Sequence, residues 1–587
     1  MSLAAVLTRA FALLQAGQVA QAETTLGPVM EAAGASGLHL LGLIRSAQGR
    51  LAEAEGLLSA ALKIESRNHE IWANMGNLKR KMDSIDEAQS HYRQALALAP
   101  RFLPALRGLT RLLLEDGAFE QAEVLARSQL AAGDDGSAFA LLSQALRGQR
   151  KPAAALEVCE QAMQQGVRAA PVLLEHAINL EKRSQIPAAL RQYEALAASG
   201  LRDPALFINW ASAEAARDDP ETAAARLRDG LAHAPLDVGL HHALVHACAA
   251  LGQPNPEGEL LEALARQPGQ YALLRLAATL LRQLERPERA DPCFAAAKAA
   301  APQDGWIDLA WAEHLDETGD PQQAIQLLVR AQASIAPTRH SLAVIAHAHL
   351  RTGSFETALR ASEQLLRLCS HDQLGLAYAM TARRMLGMGQ DSSALVRIYE
   401  LPAPSGFDSL EDFNAALSKR LNAMHETASI PLGQSVRSGS QTAKSLLESE
   451  DPVILGFFEA LAAPLQAYEA EMGAMGCSEL AQRRTGRRRI SGCWSIRLRP
   501  GGWHVNHVHP QGWVSSAYYV QTPDAPAREG WLKFGEPRYP IPGCGPDHWV
   551  QPQPGRLILF PSFLWHGVES FSRGGARLTI AFDAVPA

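Results

Sequence analysis

The stretch His504-Val505-Asn506-His507-Val508-His509-Pro510 places three imidazoles within six residues. It is answered downstream by a lone histidine in Phe560-Pro561-Ser562-Phe563-Leu564-Trp565-His566. Trp513 and the β-prone run Val514 to Val520 follow the first stretch, and a second β-prone run, Arg556 to Phe560, leads to His566. His507 and His509 stand at i and i+2, so on a regular strand they share a face and both can reach one ion. A third ligand has to come from another strand, and His566 stands at the end of one. Three facial ligands leave half of an octahedral metal open, which non-haem iron needs to hold a bidentate co-substrate and oxygen together. His504 either replaces His507 as a ligand or serves in the outer shell. At i−3 it falls on the opposite face of a regular strand, which favours the outer role.

Around these histidines the sequence alternates short β-prone runs with glycine and proline: Ile490 to Leu498, Val514 to Val520, Trp531 to Phe534, Trp549 to Gln551, Leu557 to Phe560 and Leu578 to Phe582. Many short strands separated by turns predict a barrel or double-sheet jelly roll, a fold that often houses a metal between its sheets. Arg577 and Thr579 follow His566 on the last run. An arginine fork pointing into a barrel suits a dicarboxylate, and a hydroxyl two residues on shares its face. Tyr518 and Tyr519 alternate faces, so one of them points toward the co-substrate. Trp503, Trp513 and Trp565 are candidate walls against water, although ordinary packing explains them equally well.

Toward the N-terminus the grammar becomes helical. Between 69 and 102, Trp72, Met75, Gly76 and Lys79 are followed by Ala88, Tyr92, Ala95 and Pro100, spaced by three or four within each half, with a turn at Asp83 to Asp86. A small residue then recurs every roughly 34 residues: Ala22, Ala54, Ala88, Ala122, Ala155, Ala189, Ala223, Ala290, Ala324, Ala358 and Ala394, with one degenerate unit around Glu257. Alanine at such positions lets the two helices of a hairpin approach closely. This pattern resembles the tetratricopeptide repeat, with Lys79 in place of the usual aromatic. The resemblance implies a right-handed α-superhelix of hairpins over residues 1–400, whose concave face binds a protein or peptide; a purely structural array is the plainer alternative. The histidines at 241, 242 and 246, and at 340, 347 and 349, share no helix face well. The run Leu401-Pro402-Ala403-Pro404-Ser405-Gly406 reads as a hinge, with a linking helix through residue 425 and the β domain over 426–587.

Composition sets the outer bounds. The chain has 587 residues, 47% apolar and 20% charged, with a formal net charge of −6. Several domains are expected, and no global pull toward nucleic acid. The basic run Arg483-Arg484-Thr485-Gly486-Arg487-Arg488-Arg489 suits either an anionic partner or a solvated loop. Seven scattered cysteines argue for reduced thiols rather than a disulfide framework. The first residues lack the pattern of a signal peptide, and no apolar stretch suggests a membrane span. A cytoplasmic location is the default expectation.

The C-terminal part also carries a family resemblance. It has the segment Gln434-Ser435-Val436-Arg437-Ser438-Gly439-Ser440-Gln441-Thr442, then His507-Val508-His509-Pro510 and Ser515-Ser516-Ala517-Tyr518-Tyr519-Val520. Pro554-Gly555 leads to Leu559-Phe560-Pro561-Ser562 and His566, and an arginine strand closes the chain. Over roughly residues 420 to 585 this resembles the iron(II)- and 2-oxoglutarate-dependent oxygenases, and more narrowly a bacterial group of them. The resemblance implies a double-stranded β-helix (a cupin-like jelly roll), with Fe(II), 2-oxoglutarate and O2 as cofactor and co-substrates. His507 and His566 would be iron ligands, Arg577 with Thr579 would grip the far carboxylate of 2-oxoglutarate, and Tyr518 is carried as a further contact. The wider superfamily has His-x-Asp or His-x-Glu, and His509 here occupies the carboxylate position, so the ligand set carries one negative charge fewer. Two alternatives stay open: a three-histidine metalloenzyme without 2-oxoglutarate, and a repeat adaptor with a non-catalytic jelly roll.

Overall fold

The computed structural model describes residues 2–30, 32–48, 50–82, 84–133, 136–389, 391–425, 435–442, 445–526 and 528–586. Asp83 and Gln434, quoted above, lie outside them. The chain forms two compact units. One comprises Met1–Leu281, Glu288–Ile307 and Gln332–Arg339; the other comprises Arg282–Pro287, Asp308–Ala331 and His340–Ala587.

The first unit is an array of helical hairpins such as Gly34–Ala47 with Leu51–Ile64, His69–Lys81 with Ile85–Leu98, and Leu103–Glu115 with Phe119–Ala131. The recurrent alanines Ala22, Ala54, Ala88, Ala122, Ala155 and Ala189 are all completely buried where their hairpins close. Tyr92 shows why glycine accompanies them. A Cβ at Gly76 or at Gly108 would come within 2.7 or 2.6 Å of the Tyr92 ring, so the ring occupies a slot that only two glycines leave open. Its hydroxyl donates to Asn77 Oδ1 at 2.7 Å. Lys79, the departure from the repeat pattern, is buried and donates to Glu55 at 2.7 Å and Glu87 at 2.6 Å, so two carboxylates replace aromatic packing. In the degenerate unit the second helix is short, Gly258–Arg266, and a buried Glu257 pairs with Arg289.

The second unit begins with helices of the same kind, including Arg339–Arg351 with Phe355–Leu368, followed by Gln373–Met385. The hairpin expected around Ala394 does not close. Ala394 is half-buried in a short 3-10 turn, Ser392–Ala394, and the chain then enters strand β1, Arg397–Glu400. The β-branched and aromatic run Val396 to Tyr399 favours a strand, and Pro402 denies any helix beyond it. The division expected at 400/401 therefore falls inside the unit, and Leu401 N–H donates to Gly555 O at 3.0 Å in the segment read as a hinge.

The remaining strands are β2 (Val436–Gln441), β3 (Arg488–His507), β4 (Val514–Gln521), β5 (Leu532–Phe534), β6 (His548–Val550), β7 (Arg556–Pro561), β8 (His566–Val568) and β9 (Arg577–Pro586). They form one curled antiparallel sheet in the order β1-β7-β4-β9-β3-β8-β5-β6, with β2 also on β3, consistent with a jelly roll. β3 makes the curl. Its first half pairs with β9 (Leu498 opposite Arg577) and its end pairs with β8 (His507 opposite His566). Between these halves it turns at Gly501, whose φ of +82° is a conformation side chains disfavour. The helix Leu410–Met424 and the helix Pro452–Ala460 cover the outer face: Asn414 accepts from Tyr518 Oη at 2.6 Å, and Phe457 packs on Tyr518 and Phe582.

Arg384 ties helix Gln373–Met385 to the segment between β5 and β6. Arg384 donates to Gly535 O at 2.8 Å, Asp547 Oδ2 at 2.9 Å and Gly545 O at 2.6 Å. Replacing Arg384 with alanine should cost about 1–3 kcal/mol, because the Asp547 carboxylate loses its cationic partner. Limited proteolysis should then cut the 535–547 segment faster than in wild type; an unchanged rate would show that Arg384 does not hold it.

His425, at the end of helix Leu410–Met424, is buried between Ser440 Oγ at 2.9 Å and Ser495 Oγ at 3.0 Å. Burial, reinforced by Arg497, lowers its pKa to about 4 from an ordinary 6.5. Below pH 6.5 the unfolded chain takes up a proton that the folded one refuses. The stability is thus full above 6.5 and is lost as pH falls toward 4, by about 1.4 kcal/mol per pH unit. The H425Q variant should lose stability more slowly than wild type over this window in denaturant titrations. Parallel losses would exclude His425 as the source.

Candidate functional site

Each candidate histidine is oriented by its second ring nitrogen. His507 Nδ1 lies 2.7 Å from Val505 O, and His566 Nδ1 lies 2.9 Å from Leu564 O. A carbonyl only accepts, so both Nδ1 atoms carry the proton and both Nε2 atoms keep a free lone pair. His509 Nδ1 lies 2.6 and 2.7 Å from the two oxygens of Asp583, which fixes the same tautomer. Potential ligand atoms of His507, His509 and His566 all fall within 4.8 Å of one another, which fits a single ion. No other such group occurs among the described residues.

The electrostatics suit neutral ligands. Burial and the neighbouring His509 push His507 down to about 3. Burial, with the other histidines, holds His566 well below its ordinary value. Burial also pulls on His509, but the Asp583 charge and hydrogen bond outweigh it and its pKa rises. Two phenylalanines wall the cluster: Phe560 stands 4.7 Å and Phe534 6.5 Å from the His566 ring, and they meet edge-on at 5.0 Å.

His504 departs from the alternation expected of it. A register shift between His504 and His507 breaks the regular pleat, and the two rings lie nearly parallel with centroids 6.3 Å apart. The His504 ring therefore lies on the ligand side. Burial first, and then the charges of Arg577 and His507, keep it well below its ordinary pKa. Its Nδ1 meets Ser435 Oγ at 3.2 Å.

Arg577 is 2% exposed. Nε donates to Gly530 O at 3.2 Å and Nη1 to Thr579 Oγ1 at 3.5 Å, so the arginine and the hydroxyl do share a face. Its guanidinium carbon stands 5.0 Å from the centroid of the Tyr519 ring. Burial lowers its pKa, and no carboxylate pairs with it among the described residues. Tyr519 Oη is buried, and Arg577 is the charged group that acts on it. The expected tyrosine contact is thus corrected. Tyr518 turns outward to Asn414, because the pleat sends neighbours to opposite faces, and Tyr519 lies beside the arginine.

The tryptophans do not form the walls. Trp513 is core and donates to Leu480 O at 2.9 Å, Trp565 packs toward Tyr378, and Trp503 is 40% exposed. The basic run is largely spent internally: Arg483 donates to Gly512 O, Arg484 to Glu469 O, and Arg488 to Glu469 and Ala462 O. Asp583, Phe534 and Phe560 were missed by sequence reasoning. Asp583 stands 74 residues from His509, and only the β4–β9 register brings it close.

The ligand-side cluster and the buried arginine lie on the segment that a known family covers. Residues 492–583 match the family described as "Putative 2OG-Fe(II) oxygenase". Residues 79–146 of the same chain match the tetratricopeptide repeat. No curated protein matches. Among solved structures, a tetratricopeptide repeat protein from Parabacteroides merdae is 17% identical over 39% of this chain and 91% of its own, at a TM-score of 0.34. The anaphase-promoting-complex hetero-tetramer Cut9–Hcn1 is 14% identical over 65% and 78%, at 0.32. YrrB, described as a tetratricopeptide protein with an unusual peptide-binding site, is 20% identical over 32% and 96%, at 0.24. Among the described residues no helix is long and apolar enough to cross a membrane.

If His507, His509 and His566 are the ligand set, replacing His566 with alanine should abolish stoichiometric iron(II) binding and leave the helical circular dichroism unchanged. Full occupancy in that variant would exclude the assignment.

Proposed function

We propose that the oxygenase domain is a 2-oxoglutarate- and iron(II)-dependent dioxygenase that hydroxylates a protein or other macromolecular substrate recruited by the repeat array. The observation that carries this reading is Arg577. A buried guanidinium without a carboxylate is costly unless an anionic ligand supplies one, and the buried Tyr519 hydroxyl lies beside it. The C5 carboxylate of 2-oxoglutarate fits both groups, and Thr579 shares their face.

His507, His509 and His566 would hold iron(II) through Nε2, because each Nδ1 already has a partner. When bound, iron(II) with 2-oxoglutarate and O2 supplies the oxidising chemistry that inserts oxygen into an unactivated C–H bond. Arg577 and Thr579 bind and orient the far carboxylate. Phe534 and Phe560 keep water from the His566 side, and the low pKa values of His507 and His566 keep both neutral and ready to bind near pH 7. Tetratricopeptide repeats generally bind proteins or peptides, which supports a macromolecular substrate.

The all-histidine ligand set favours one rival reading, a dioxygenase that needs no 2-oxoglutarate. Arg577 separates the two. Replacing Arg577 with methionine should cost about 2–5 kcal/mol of co-substrate binding. That weakens 2-oxoglutarate affinity by roughly 30-fold to several thousand-fold, with iron binding nearly unchanged. Lysine keeps the charge but loses the fork. The readout is anaerobic titration of 2-oxoglutarate into the iron-loaded protein, following the metal-to-keto charge-transfer band. If wild type gives no band, the rival reading gains; if the methionine variant binds as wild type does, Arg577 is not the anchor.

A further inference from the structure

We propose that Asp583 is the positioning carboxylate of the metal centre. Held by Ser515, it aims His509 at the ion and keeps one negative charge directly behind that ligand. The inference rests on the reading of His507, His509 and His566 as ligands, and it concerns what sets that site apart from a His-x-carboxylate site.

The three histidines are not held alike. His507 and His566 each give Nδ1–H to a backbone carbonyl, which orients the ring and brings no charge. His509 gives its Nδ1–H to a carboxylate, with both oxygens in range at 2.6 and 2.7 Å. That carboxylate is itself fixed. Ser515 Oγ donates to Asp583 Oδ1 at 2.6 Å and lies 2.8 Å from Ser562 Oγ, while Ser562 O accepts the His509 backbone N–H at 2.9 Å. Asp583 is on β9, Ser515 sits opposite it on β4, and Ser562 follows β7, so three segments close around His509. Both serines are completely buried.

This answers a deficit visible in the ligand set. Three neutral imidazoles leave the full charge of a divalent ion on the centre. A carboxylate behind a ligating imidazole makes the ligand more basic and fixes its orientation. Asp583 therefore restores the charge that His509 removes from the first layer, at the distance of one ring, without occupying a coordination position. A purely structural Asp583, tying β4 to β9, is the competing account. It predicts that the hydrogen bond matters and the charge does not.

The full-length protein is titrated with cobalt(II), following its d–d absorption, as wild type and as Asp583→Asn, Asp583→Ala and Ser515→Ala. Asparagine keeps a carbonyl acceptor for the imidazole N–H and removes only the charge. Expected is a cobalt dissociation constant about 10- to 100-fold higher in D583N, an altered d–d envelope, and a metal-free unfolding temperature close to wild type. If D583N binds cobalt as wild type does, whether or not D583A fails, the charge role is overturned and Asp583 is a structural anchor. S515A frees Asp583 but keeps its charge, and severalfold weaker binding is expected; an unchanged affinity overturns the positioning role however D583N folds. A wild type that binds no cobalt would sink the ligand assignment and this proposal together, whereas wild-type binding with an unaffected D583N sinks only the proposal.

Discussion

A single strand sets the geometry of the C-terminal sheet. β3 runs for twenty residues, and its two halves serve different neighbours. Leu498 fixes where Arg577 stands on β9, and His507 fixes where His566 stands on β8. The distance between the candidate ligands and the candidate carboxylate anchor is therefore written along one stretch of backbone. The turn at Gly501 and the register shift before His507 fold that stretch so that both face the same interior. Any change in the pairing of β3 would move ligand and anchor together.

That arrangement also concentrates unfavourable electrostatics in one place. An arginine at 2% exposure, several neutral histidines and a buried tyrosine hydroxyl together would not be selected for stability alone. Among the described residues Asp583 is the one carboxylate hydrogen-bonded to the three-histidine cluster, and it contacts His509 rather than Arg577. The two ends of the interior thus have opposite needs. One is already neutralised from within the chain, and the other has no carboxylate partner among the described residues.

What the sequence disclosed and what it hid follow from range. The His507–His509 spacing and the alanine period are local, so pattern alone exposed them, and the alanines are buried as close approach requires. His504 was misplaced because a register irregularity is invisible in composition. Tyr518 and Tyr519 could not be told apart because the face of a strand depends on its partners. Asp583 and the two wall phenylalanines are brought in by pairings between distant strands. Ala394 kept the period of the repeats, yet the β-prone residues after it led into a strand instead.

Helix Gln373–Met385 gives the chain a seam in an unexpected place. It belongs by shape to the repeats, but Arg384 reaches three groups of the 535–547 segment, and the strand that follows, β1, completes the sheet beside β7. In recombination terms the last repeat helix is inherited with the sheet. A crossover near residue 401 would deliver a jelly roll with a raw edge at β7 and an unclamped loop, whereas one falling further upstream could exchange earlier repeats and leave the sheet whole.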